Sequence, residues 1–137
     1  MAEEVRQVEH YSLLISNKVG EGARVLGMLR DAGVNLIAFW GYGVGAGRAQ
    51  LEFIPENGPA FVAAAKQAKL KLSKRRPAFY IYGDDRPGAV ADVLAKLAGV
   101  SISVSALQAV CGGGGRYGAV VSLPPAAVRK AASILGA

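Results

Sequence analysis

The 137-residue chain has one cysteine, Cys111, one histidine, His10, and one tryptophan, Trp40. A lone cysteine excludes an intrachain disulfide, which suits a reducing compartment, so a cytoplasmic location is expected. One cysteine and one histidine supply too few ligands for a dedicated zinc site, and no metal or other cofactor is expected. Charged residues are scarce at 19%, against 52% hydrophobic. Even so, no apolar run reaches the ~18 residues of a transmembrane helix, and no membrane partner is expected. The start, Met1-Ala-Glu-Glu, is acidic and lacks a basic-then-apolar signal pattern. A mean hydropathy of +0.28 excludes a largely disordered chain.

Catalytic signatures are missing too. His10 falls in or near a strand and reads as a hydrogen-bonded structural or surface residue. Cys111 opens the glycine run 112–115 and reads as a small residue flanking a turn. Spacing joins neither Glu52 nor Glu56 to an acid–base partner. The glycine-rich stretches 41–47 and 112–115 each precede a strand, whereas a dinucleotide-binding loop opens a helix. No Gly-Lys-Ser/Thr element marks a phosphate loop. Trp40 and Tyr42 read as sheet-face or dimer-contact residues. The chain is therefore read as a non-enzyme with no catalytic residues.

Net charge is +6, and much of the excess sits in Lys66, Lys69, Lys71, Lys74, Arg75 and Arg76. Such a run can meet phosphates, yet it contains no aromatic residue to stack on a base. It reads as a solvated connection, and nucleic acid is not the expected partner.

The 18 glycines punctuate short apolar runs. Val8 to Ser16 reads as a strand, Val25, Leu26 and Leu29 as a helix ending at Gly33, and Asn35 to Trp40 as a second strand. Gly41–Gly47 reads as a flexible hairpin, Arg48 to Ile54 as a third strand with Ala49, Leu51 and Phe53 on one face, and Pro59 to Ala68 as a helix. Leu70 and Leu72 mark a short fourth strand. The order then repeats: a strand from Phe79 to Tyr82, a helix through Val93, Leu94 and Leu97, a strand from Ser101 to Val110, a return from Tyr117 to Leu123, and a final helix from Pro124-Pro125 to about Leu135.

A shift of 68 lays Gly20 on Gly88, Val25 on Val93, Leu29 on Leu97 and Arg48 on Arg116. At the helix end the second copy reads as two residues shorter, with Gly33-Val34 opposite Gly99-Val100. The expected fold is α+β: ferredoxin-like βαββαβ units in tandem, each an antiparallel sheet with its helices on one face. The expected domains are 1–73 and 78–137, joined by a basic linker at 74–77. The second copy has no clear final strand, which leaves a sheet edge needing cover and points to self-association.

The junctions Asn17-Lys-Val-Gly20 and Asp85-Arg-Pro-Gly88, each followed by a helix, resemble the signature of the ACT domain. The likeness spans about residues 8–135 and implies a free-standing tandem ACT protein. For that family, the resemblance implies a sheet order of 4-1-3-2 and a non-catalytic regulator of amino-acid metabolism. It also implies edge-to-edge pairing of units, here as a homodimer, and an unseen regulated enzyme as a further partner. An amino acid would lie at the interface between units, held by the first strand–helix turn of one and the second strand of the other. Residue by residue this implies Asn17, Val19, Gly20, Glu21, Gly22, Asn35 and Leu36 in the first copy. In the second it implies Asp85, Pro87, Gly88, Ala89, Ser101 and Ile102. The alternative is an interaction or oligomerisation module that has lost its ligand.

Physical chemistry supports the turns as sites. Glycine admits a close ligand, and a helix N-terminus presents free N–H groups to a carboxylate. Asn17 or Asp85 could instead cap the helix. Asn35 can serve both ends of an amino acid or merely satisfy nearby backbone. Its counterpart Ser101 is smaller, so the first copy is expected to bind better. Glu21, Asp84 and Asp85 oppose a ligand carboxylate, with Arg86 as a counter-ion for the aspartates.

Overall fold

A computed structural model describes residues 3–137. Its elements are β1 (Glu4–Ser16), α1 (Glu21–Asp31), β2 (Leu36–Gly45), β3 (Arg48–Pro55), α2 (Gly58–Gln67), β4 (Arg76–Asp84), α3 (Ala89–Gly99), β5 (Ala106–Gly113), β6 (Arg116–Ser122), a 3-10 turn (Pro125–Ala127) and α4 (Val128–Leu135). They form two compact units. One is Glu9–Arg75; the other joins Arg76–Ala137 to the chain up to Val8. This division departs from the boundaries expected above. The segment before Glu9 belongs with the second repeat, and the supposed linker residues Arg76 and Pro77 lie inside β4.

In the unit Glu9–Arg75 the strand order is β2-β3-β1, all antiparallel. Alternation along the strands sends Tyr11, Leu13, Leu51 and Phe53 to one face, where Val25 and Leu29 of α1 and Phe61 of α2 close the core. Phe61 is fully buried, its ring 5.3 Å from Tyr11 and 5.2 Å from Phe53. Asn57 caps α2 by accepting from the Ala60 N–H at 3.0 Å, and Pro59 sits in the first turn where no donor is needed. The fourth strand expected at Leu70–Leu72 is irregular chain. Lys69 turns with φ +58, and the Leu70 N–H closes back on the Ala65 carbonyl. The segment still runs beside β1, since the Ser73 N–H donates to the Ser12 carbonyl at 2.9 Å.

In the other unit the order is β1-β4-β6-β5. Phe79, Ile81, Tyr117, Ala119 and Val121 face Val93 and Leu97 of α3 and Ala131 and Leu135 of α4. Here the missing last strand is found. The leading part of β1 lies beside β4, Val5 packs on this core, and Tyr117 donates to the Glu3 carboxylate. The edge expected to lack cover is covered by residues that precede the first repeat.

The repeat is more regular than its sequence suggested. The Asn17 N–H donates to the Gly47 carbonyl at 2.8 Å, and Asp85 to Gly115 at 2.9 Å. At the helix ends Val34 donates to Leu29 and Ile102 to Leu97, both at 3.0 Å, closing the same C-terminal motif. Gly33 stands in the left-handed region there with φ +74, and Ser101 takes its place with φ +59. The shift of 68 therefore holds through the helix end, and the two-residue deletion disappears. Asn35 matches Ser103, not Ser101. Residues 101–105 are not strand, and β5 begins only at Ala106. The glycine stretches are also partly strand, with β2 running to Gly45 and β5 to Gly113.

Candidate functional site

Each strand–helix turn ends on a left-handed glycine that serves as the helix N-cap: Gly20 with φ +88 before α1 and Gly88 with φ +80 before α3. Neither helix has a side-chain cap, so the capping role considered for Asn17 and Asp85 is not realised. The Glu21 and Ala89 N–H groups close back on the Lys18 and Arg86 carbonyls, and those of the next two residues in each helix are left for solvent or a ligand.

At the first turn, Val19 is fully exposed at 107%, and Gly20 is exposed beside it. Glu21 is held by Arg24, whose hydrogen bond keeps its carboxyl below the usual range. Gly22 is half-buried in the first turn of α1. The Asn17 side chain lies against Gly43. Asn35 donates its amide to Glu56 at 3.0 Å, and the Glu56 N–H donates back to the Asn35 carbonyl at 3.0 Å. The amide is thus engaged by a side chain 21 residues away and not by nearby backbone. Leu36 packs on the core of its unit.

The second turn opens on a cleft of about 300 Å³. Asp85, Gly88 and Ala89 line it, joined by Arg86, Cys111 and Tyr117, which were not among the expected site residues. Pro87 lies in the turn but not on the cleft wall, while Ile102 is buried in the core at 9% exposure. Ser101 is exposed and spent on the helix end. The charge arrangement also differs from expectation. Arg86 pairs with Asp92 at 2.6 Å, and Arg116 pairs with Asp84 at 2.9 Å, so Arg86 is not the aspartates' counter-ion. Among the described residues Asp85 accepts from the Cys111 thiol alone, at 3.0 Å, and so brings a carboxylate to the cleft. Burial, then its bond to Glu3, pushes the Tyr117 phenol well above its ordinary pKa, leaving it a neutral donor.

A second polar cluster escaped the sequence reading. On the sheet face away from the helices, Ser12 pairs across to Glu52 and Glu52 to Trp40, with His10 and Tyr42 two residues along their strands. Glu52 is 4% exposed and His10 1%. His10 Nε2 is 2.7 Å from Glu52 Oε1, Ser12 donates to that oxygen, and the Tyr42 hydroxyl donates to Oε2 at 2.8 Å. The His10 and Trp40 rings are 5.3 Å apart. His10 is structural, as expected, but Glu52 is not isolated. Only strand register joins these positions, and no linear spacing could show it.

Among the described residues no group of three or more His, Cys, Asp or Glu side chains is placed to hold a metal ion. No helix among them is long and apolar enough to cross a membrane.

No protein-family model and no curated protein matches the chain by sequence. Several solved structures match in fold. Protein BT0572 from Bacteroides thetaiotaomicron superposes with a TM-score of 0.81 at 20% identity, covering 96% of this chain and 88% of that one. The ligand-free regulatory subunit of aspartate kinase from Thermus thermophilus gives 0.67 at 14%, covering 98% and 94%. Aspartokinase III from E. coli, in complex with aspartate and ADP, gives 0.57 at 13%, covering 99% of this chain but 33% of that chain. At such identities the likeness shows the fold, which is that of tandem ACT domains.

Proposed function

We propose that this chain, having the fold of tandem ACT domains, is a non-catalytic regulatory protein that binds a small amino acid at its β4–α3 turn. The observation that carries the reading is the cleft beside Gly88. The N-terminus of α3 offers N–H groups and a positive dipole end to a carboxylate, while Asp85 offers an anion to an ammonium. These are the two ends of an amino acid. Ala89, Ala91, Ala109 and Val110 supply an apolar wall for its side chain.

The matched structures include a regulatory subunit of aspartate kinase and an aspartokinase in complex with aspartate, which supports the same class of role here. The first turn is the weaker candidate, because its Asn35 amide is engaged by Glu56. Its remaining residues, Asn17, Val19, Gly20, Glu21, Gly22 and Leu36, stay proposed as a second site. Pro87 is proposed as a stiffener of the second turn and not as a contact. A homodimer is proposed as the working form. β5 supports this: it is an edge strand whose Val110 is 68% exposed.

Isothermal calorimetry against the twenty amino acids tests the reading. The expected result is saturable binding of a small amino acid, weakened about tenfold or more by Asp85→Asn and by the cleft-filling Ala109→Leu. Absence of any binding at millimolar concentration by a folded oligomer would favour the interaction-module alternative.

A further inference from the structure

A second recess lies in the same unit, on the sheet face away from its helices. It measures about 180 Å³ and is lined by Glu4, Val5, Arg6, Tyr80 and Tyr82. Its make-up follows from strand alternation. Glu4 and Arg6 are two apart on β1, and Tyr80 and Tyr82 two apart on the neighbouring β4. Phe79 and Ile81, the residues between, point into the helix-side core.

The tyrosine rings form a platform. Their centroids are 6.3 Å apart and their planes within 28°. The Arg116 guanidinium lies 4.2 Å from the Tyr82 ring centroid and is fixed there by Asp84. The Tyr80 ring lies against Gly118, which stands opposite Tyr82 on β6. Tyr82 remains 37% exposed.

The charges beside the platform are unspent. Glu4 and Arg6 are exposed, and neither makes an ion pair or side-chain hydrogen bond within the described residues. A guanidinium and a carboxylate on one side of a strand complement a molecule carrying both charges. A planar side group on that molecule would rest on the tyrosines.

We infer that this recess binds the zwitterion of an aromatic amino acid. Arg6 takes the carboxylate, Glu4 the ammonium, and Tyr80 and Tyr82 the ring. A nucleotide would bring its base to the same rings, but its doubly charged phosphate would meet Glu4, so the mixed charges favour the amino acid. This site is separate from the cleft at Gly88 and does not depend on it.

The test is calorimetric titration of the whole chain with L-phenylalanine, with AMP as one comparison ligand and L-alanine as another, the alanine titrated into the Ala109→Leu chain so that the cleft at Gly88 contributes little heat. Saturable phenylalanine binding is expected, with alanine and AMP at least about tenfold weaker at this recess. Arg6→Gln and Tyr82→Leu should each weaken phenylalanine at least about tenfold, with circular dichroism unchanged. Asp85→Asn, at the other cleft, should leave phenylalanine binding unchanged. Three results would overturn the inference: no phenylalanine binding at about 10 mM, equal binding by the Arg6 and Tyr82 variants, or AMP binding as tightly as phenylalanine. Should Tyr82→Leu fail to fold, Arg6→Gln alone decides, because that side chain is exposed and unpaired.

Discussion

Replacing Glu52 by glutamine tests whether the buried cluster on β1, β2 and β3 holds its unit together. Burial on its own raises the pKa of this carboxyl. Hydrogen bonds from Ser12, Tyr42 and His10 outweigh burial and hold it below the usual range. Glutamine keeps the shape but offers one acceptor and one amide donor in place of two acceptors. Wherever the amide points, it faces either the Tyr42 hydroxyl or the His10–Ser12 pair. One charge-assisted bond is lost and one buried donor is mismatched, a cost of about 2–4 kcal/mol. For a chain of this size that is a fall in Tm of roughly 8–15 °C.

The pH dependence gives the sharper readout. A carboxyl whose folded pKa lies below its unfolded value stabilises the fold above the unfolded pKa. That contribution is lost as pH falls through the folded pKa. Wild type should therefore exceed Glu52→Gln in urea midpoint at pH 7, and the gap should close progressively below about pH 4.3, the unperturbed glutamate value. Equal midpoints at pH 7 would refute the reasoning, as would a gap that persists unchanged at pH 3.

Other consequences are as direct. Phe61→Ala empties the centre of the helix-side core of Glu9–Arg75 and should cost about 3–5 kcal/mol in urea unfolding. Ser101→Gly relieves a left-handed serine at the end of α3 and should raise stability by about 0.5–1 kcal/mol. Val5→Asp puts a charge against the core of the β4–α4 unit; amide exchange should accelerate in β4 and β6 while β2 and β3 keep their protection.

The repeat itself was legible because its signals are local. Turn glycines such as Gly20 and Gly88, the helical spacing of Val25 and Leu29, and the alternation of Leu51 and Phe53 each act within a few residues. The helix end was misread because glycine is the usual left-handed residue. Gly99 drew the alignment, although Ser101 takes that conformation at a modest local cost borne by the surrounding contacts. The cleft was half legible. Asp85, Gly88 and Ala89 sit in the motif, but Cys111 and Tyr117 reach it only through the pairing of β5 with β6 and β6 with β4.

By itself, the sequence determined that there are two ferredoxin-like repeats with glycine-ended turns before their first helices. Backbone sterics and hydrophobic periodicity operate over a few residues and need no partner. Tertiary structure alone decided which chain segment completes which unit. The residues leading into β1 lie beside β4, where Val5 joins the core around Phe79. Nothing near Val5 in the chain could announce this, because strand pairing is set by hydrogen bonds and burial between segments about 70 residues apart.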